Sequence, residues 1–205
     1  MIIDIFVKCP KIVRQNMQNV VKLSTGITMK IEIIKVGKLR CNCYILDINN
    51  DILVIDPGDE ASKISSIIGK RNVLGIVITH HHPDHDGAVT ELVRKYHSKV
   101  YDRYNLNEGI TQILPFTFEV IYTPGHKEDL ITLYFKEEKI MFCGDFIFKD
   151  SIGRCDLHGS SIKDMTNSLK KIQKYNRDIT IYPGHGMTTT LGYEIENNVY
   201  FNEFL

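Results

Sequence analysis

The sequence predicts an α/β protein made of two mixed β-sheets packed together with helices outside, a four-layer αββα sandwich. Three observations predict it. The chain has 205 residues, the size of one ordinary domain with room for a short appendage. Its 43% hydrophobic and 24% charged residues match an average soluble globular protein able to bury a sizeable core. Short apolar runs, punctuated by turns, are interleaved with single helical stretches, the pattern of sheets covered by helices.

In order, Ile31-Glu32-Ile33-Ile34, Tyr44-Ile45-Leu46 and Ile52-Leu53-Val54-Ile55 are expected as antiparallel strands, with Asn49-Asn50-Asp51 as a turn. Residues 61–68 read as a helix stopped by Gly69, and residues 75–78 as a buried strand that delivers its end to Thr79-His80. A second helix is expected over 88–96, followed by strands over 116–122, 131–135 and 140–143. A third helix over 162–175 keeps Ile162, Met165, Leu169 and Ile172 at three- and four-residue spacing, and a strand over 179–182 comes after it.

Residues 1–28 are expected to be an N-terminal extension whose place in the working protein is open, ahead of a folded domain over 29–205. A signal peptide is disfavoured because Asp4 and Lys8 bracket only Ile5-Phe6-Val7. Twenty-five basic and 25 acidic residues cancel, so there is no overall field to attract nucleic acid or an anionic membrane, and neither is an expected partner. No apolar run approaches the roughly 20 residues of a membrane helix. The five cysteines (Cys9, Cys41, Cys43, Cys143, Cys155) are odd in number and include no Cys-x-x-Cys pair, which points to a reducing, cytoplasmic compartment.

Chemistry concentrates in Thr79-His80-His81-His82-Pro83-Asp84-His85-Asp86-Gly87. The spacing His-x-His-x-Asp-His arises by chance about once in a thousand such chains. His80 and His82, two apart in extended backbone, face the same side and can reach one ion, while Asp84 and His85 lie past the Pro83 bend and can serve a second. Imidazoles with a carboxylate favour zinc, iron or manganese over calcium or magnesium. Three further strand ends supply candidates: Thr123-Pro124-Gly125-His126, Gly144-Asp145 and Pro183-Gly184-His185-Gly186. A carboxylate can bridge, so Asp145 is the natural link between two cations, with His126 completing one set and His185 the other. His81, His97 and His158 are read as surface or supporting groups, and Cys41, Cys43 and Cys143 as small core residues.

These motifs resemble the metallo-β-lactamase superfamily, in particular the short single-domain members of its hydroxyacylglutathione hydrolase (glyoxalase II) group. The resemblance covers Met29 to about Tyr200. It implies the fold named above and a binuclear site, with His80, His82 and His126 on the first metal, Asp84, His85 and His185 on the second, and Asp145 bridging. Asp56-Pro57-Gly58 looks like the family's Asp-x-Gly, whose acid supports the ligands from behind. Gly153-Arg154-Cys155-Asp156 looks like the Gly-Arg-Thr-Asp that follows the bridging aspartate. Lys127-Glu128-Asp129-Leu130 departs from the usual Thr-x-Gly-Ser, and Cys155 from the usual threonine. The C-terminal helical domain of two-domain glyoxalase II enzymes has no counterpart in the twenty residues after His185.

The expected function is hydrolysis of a small acyl substrate, a thioester such as a hydroxyacyl-glutathione, by metal-bridged hydroxide attack with Asp84 as the catalytic carboxylate. The cofactor is two divalent metal ions, zinc first and iron or manganese as alternatives. Asp145 argues against β-lactam hydrolysis. The competing expectation is a persulfide dioxygenase-like oxidoreductase on the same fold, with one iron.

Overall fold

The computed structural model describes residues 18–22 and 28–203. Of the expected extension over 1–28, residues 1–17 and 23–27 lie outside the described residues. Gln18–Lys22 forms strand β1.

The first sheet continues with β2 (Thr28–Val36), β3 (Cys41–Ile48), β4 (Asp51–Ile55), β5 (Asn72–Val77) and β6 (Lys99–Tyr101), in the order β1-β2-β3-β4-β5-β6. β1 to β4 pair antiparallel, whereas β4–β5 and β5–β6 are parallel. The parallel steps are crossed by α1 (Ala61–Ile68) and by α2 (Pro83–Asp86) with α3 (Val89–Tyr96). The second sheet contains β7 (Gly109–Ile113), β8 (Phe116–Tyr122), β9 (Ile131–Phe135), β10 (Ile140–Gly144), β13 (Thr180–Pro183) and β14 (Thr189–Thr190), ordered β14-β13-β10-β9-β8-β7. Between β10 and β13 lie the hairpin β11 (Ile147–Phe148) and β12 (Ser151–Ile152), and then α4 (Ile162–Ile172). α5 (Leu191–Asn197) and α6 (Val199–Glu203) follow.

The period-2 alternation of strand side chains builds the four layers. On β3, Tyr44, Leu46 and Ile48 enter the core between the sheets, where Phe118, Val120, Leu133 and Phe142 meet them. Cys41, Cys43 and Ile45 face the other way, onto Ile64 and Ile68 of α1 and Leu92 of α3. On β10, Phe142 faces the central core while Met141 packs with Met165, Leu169 and Ile172 of α4. Central strands buried on both faces read as continuous apolar runs, which is why β4 and β10 show no polar alternation.

The third helix stops at Ile172, short of the expected 175. Beyond it Tyr175 N–H bonds Ile172 O (3.0 Å), a tighter three-residue turn that closes the helix end. The one-turn α2, opened by Pro83 at its first position, replaces the simple bend expected there. Among the described residues no helix is long and apolar enough to cross a membrane.

Candidate metal centre

Six chain segments leave one edge of the sandwich and converge. β4 runs into Asp56, β5 into Thr79 and His80, β8 into His126, β10 into Asp145 and β13 into His185, while α2 carries Asp84 and His85. The two sheets are tied together here by Ile131 N–H to Thr79 O (2.9 Å) and Asn42 N–H to Gly184 O (2.7 Å). Two glycines make the approach possible. A Cβ on Gly58 would lie 1.4 Å from Asp84 O, and one on Gly184 would lie 2.2 Å from Asp145 Oδ1.

The convergent side chains form two sets. In the first, His82 Nδ1 lies 3.0 Å from His80 Nε2 and 3.1 Å from His126 Nε2. In the second, Asp84 Oδ2 lies 3.1 Å from His185 Nε2 and 3.7 Å from His85 Nε2. Asp145 stands between them, its Oδ2 3.6 Å from both His126 Nε2 and His185 Nε2 and its Oδ1 3.3 Å from His85 Nε2. All seven residues expected as ligands are therefore neighbours. His80, His85, His126 and Asp145 are buried, while His82, Asp84 and His185 are half-buried.

Hydrogen bonds on the outer side of the rings determine which nitrogen faces inward. His85 Nδ1 donates to Asp56 Oδ2 (3.0 Å), His126 Nδ1 to Arg154 O (2.9 Å) and His185 Nδ1 to Leu39 O (3.1 Å). Thr79 spends its one hydroxyl hydrogen on Asp56 Oδ2 (2.7 Å), so its oxygen accepts from His80 Nδ1 (3.1 Å). In their neutral forms these four imidazoles would turn bare Nε2 lone pairs inward, toward the neighbouring rings and carboxylate oxygens. Such an arrangement repels itself unless a cation or proton sits within it. The buried Asp145 Oδ1, which has no hydrogen-bond partner, makes the same demand. The donor set fits divalent transition metals: nitrogen-rich, with carboxylates, and grouped as His80, His82 and His126, and as His80, His85 and Asp145. Cys41 with His85 and His185 is a third grouping, but Cys41 Sγ is nearer to His85 Nδ1 (3.6 Å) than to Nε2 (3.9 Å), so the thiol flanks the outer side of that ring.

A family model described as the Metallo-beta-lactamase superfamily matches residues 36–105 and 105–185, more than half of the chain. The chain belongs to the metallo-beta-lactamase superfamily. Among its relatives there, the hydroxyacylglutathione hydrolase GloC of Haemophilus influenzae is 30% identical over 209 residues, covering 85% of this chain and 99% of that protein. The probable metallo-hydrolase YqgX of Bacillus subtilis is 29% identical, covering 86% and 99%. Among solved structures, the BLEG-1 B3 metallo-beta-lactamase superimposes with a TM-score of 0.78 at 28% identity, covering 82% of this chain and 97% of that one. TTHA1623, solved in a di-iron-bound form, gives a TM-score of 0.75 at 31% identity, covering 81% and 98%.

Within this superfamily scaffold the two sets differ electrostatically. Burial and the neighbouring His85, His126 and His82 push the His80 pKa well down. Burial also opposes protonation of His85, but Asp56 and Asp145 outweigh it and hold that pKa well above the usual value. The contrast follows position: the His80 ring is surrounded by other imidazoles, while the His85 ring lies between the Asp56 and Asp145 carboxylates. Burial raises the Cys41 thiol to about 11, which leaves it un-ionised at neutral pH.

Sequence reading missed several supporting groups. The Leu39 and Arg154 carbonyls leave no trace in side-chain identity. Thr79 had a signal, since a hydroxyl beside a strand-end histidine is well placed to set its tautomer. The superfamily departure at 127–130 brings in Asp129, whose Oδ2 accepts from His81 Nδ1 (2.6 Å) and His81 N–H (3.1 Å).

Proposed function

We propose that this chain is a binuclear metal-dependent hydrolase acting on a small thioester, such as a hydroxyacyl-glutathione. His80, His82 and His126 would hold one cation, Asp84, His85 and His185 the other, and Asp145 would be shared. The observation that carries the reading is the pair of inward-facing donor sets flanking a carboxylate with an unpartnered buried oxygen. The similarity to GloC supports the substrate class, and the di-iron form of TTHA1623 keeps iron beside zinc as the metal.

Bound cations would supply Lewis acidity toward the acyl oxygen and a water acidified toward neutral pH. Asp84 is the residue placed to orient that water by accepting its hydrogen bond, because the hydrogen bond from His185 lowers its carboxyl pKa to about 2 and keeps it ionised. The products are a carboxylic acid and a thiol. A thiolate leaves readily because thiols ionise near pKa ~8.5, so no strong general acid is required.

The test is metal analysis of protein purified without added metal, with turnover assays on lactoylglutathione, a chromogenic β-lactam and a glutathione persulfide. Two metal equivalents with thioester turnover support the reading. One iron with oxygen uptake on the persulfide replaces it with the dioxygenase, and β-lactam turnover without thioester turnover replaces it with the activity named for BLEG-1.

A further inference from the structure

We propose that Asp129 is a positioning residue for the first donor set, holding the His80-His81-His82 segment so that the His82 ring meets His80 and His126. The inference rests on the metal reading above, though not on the thioester.

Of the five inward-facing histidines, four have an outer hydrogen-bond acceptor: Thr79 for His80, Asp56 for His85, Arg154 for His126 and Leu39 for His185. His82 is the exception. Its Nδ1 faces the other two rings, and its Nε2 makes no hydrogen bond among the described residues. The His82 ring therefore depends on its backbone for its place.

That backbone is held from across the site. Asp129, 2% exposed and three residues after His126, accepts from the main-chain N–H of His81 and again from its Nδ1. One carboxylate thus joins the segment bearing two donors of the first set to the loop bearing the third. The His81 ring is steadied from outside, with Nε2 3.6 Å from Asp102 Oδ2 and its centroid 5.7 Å from that of Tyr104. Asp129 is also an expensive residue to place here, since its Oδ1 is buried without a hydrogen-bond partner. A local penalty of this kind is typical of a group retained for a site rather than for packing. His81, which the motif alone leaves without a role, becomes the handle by which the segment is gripped.

The experiment is stepwise zinc binding to the full chain by chelator competition, resolving the two equivalents, for the parent, Asp129→Ala and Asp129→Asn. Loss of an orienting partner behind a metal ligand typically weakens binding about 10–100-fold. Asp129→Ala is expected to weaken one equivalent by about that factor and to leave the other within a few-fold, with Asp129→Asn, which keeps an oxygen acceptor, between it and the parent. Thermal melts of the metal-free proteins run alongside. A lowered melting temperature with both affinities unchanged, or equal weakening of both equivalents, would overturn the proposal by making Asp129 a general structural residue. A parent that binds no zinc overturns the metal reading and this inference together. A parent that binds two equivalents yet turns over no thioester overturns only the substrate, and the Asp129 comparison still decides this inference.

Discussion

His85 Nδ1 donates to Asp56 Oδ2 at 3.0 Å, and the same oxygen accepts the Thr79 hydroxyl at 2.7 Å, so Asp56 orients one imidazole directly and the His80 ring through Thr79. The two rings belong to different donor sets. Asp56→Ala is therefore expected to weaken both metal equivalents about 10–100-fold, in contrast to the single-equivalent loss at Asp129. It also leaves the buried Thr79 N–H, now bonded to Asp56 Oδ1 at 2.7 Å, without its acceptor, at a cost of about 1–3 kcal/mol. Denaturant unfolding of the metal-free variant measures the second effect, and chelator competition the first.

Asp145 faces both sets, and its substitution should separate sharing from simple coordination. Asp145→Ala is expected to retain at most one tightly bound equivalent and to lose more than about 100-fold in turnover, since a facing ligand matters more than an outer partner. Metal stoichiometry after gel filtration is the check. Two tightly bound equivalents in the variant would exclude the shared role.

Gly58 is pressed against the backbone of the ligand turn. A Cβ there would lie 1.4 Å from Asp84 O and 2.3 Å from Asp84 C, atoms that cannot rotate aside. Gly58→Ala must displace α2, with an expected cost of about 1–3 kcal/mol or more in metal-free stability. Because α2 carries Asp84 and His85, the second donor set should weaken as well. Unchanged unfolding midpoints would show that the turn gives way freely.

The Asp84–His185 contact predicts a pH dependence in the metal-free protein. The His185 hydrogen bond takes the Asp84 pKa from an ordinary 3.8 to about 2. The folded state thus favours the ionised carboxylate, and this stabilisation is complete above about pH 4 and lost as the pH falls through about 2. Asp84→Asn should be less stable than the parent at pH 5, and the gap should narrow toward pH 2 in thermal melts with chelator present. A gap that stays constant over that range removes the coupling.

Much of this molecule was legible before any coordinates. β8 and β9 begin and end where alternation and turn residues place them, and α1 stops at Gly69. The short strands at Lys99–Tyr101 and Gly109–Ile113 were not legible, because exposed and half-buried residues at a sheet edge carry little hydrophobic pattern. Their pairing with β5 and β8 defines them.

The sequence by itself determined which side chains could bind metal and that each candidate follows a strand, since spacing and residue chemistry are local properties. Only the tertiary structure decided which imidazole nitrogen turns inward, that Asp145 stands between the two sets, and that Asp129 grips His81 across the site. Those outcomes depend on acceptors such as Leu39 O and Arg154 O, which come near their rings only when distant segments pack at one edge of the sandwich.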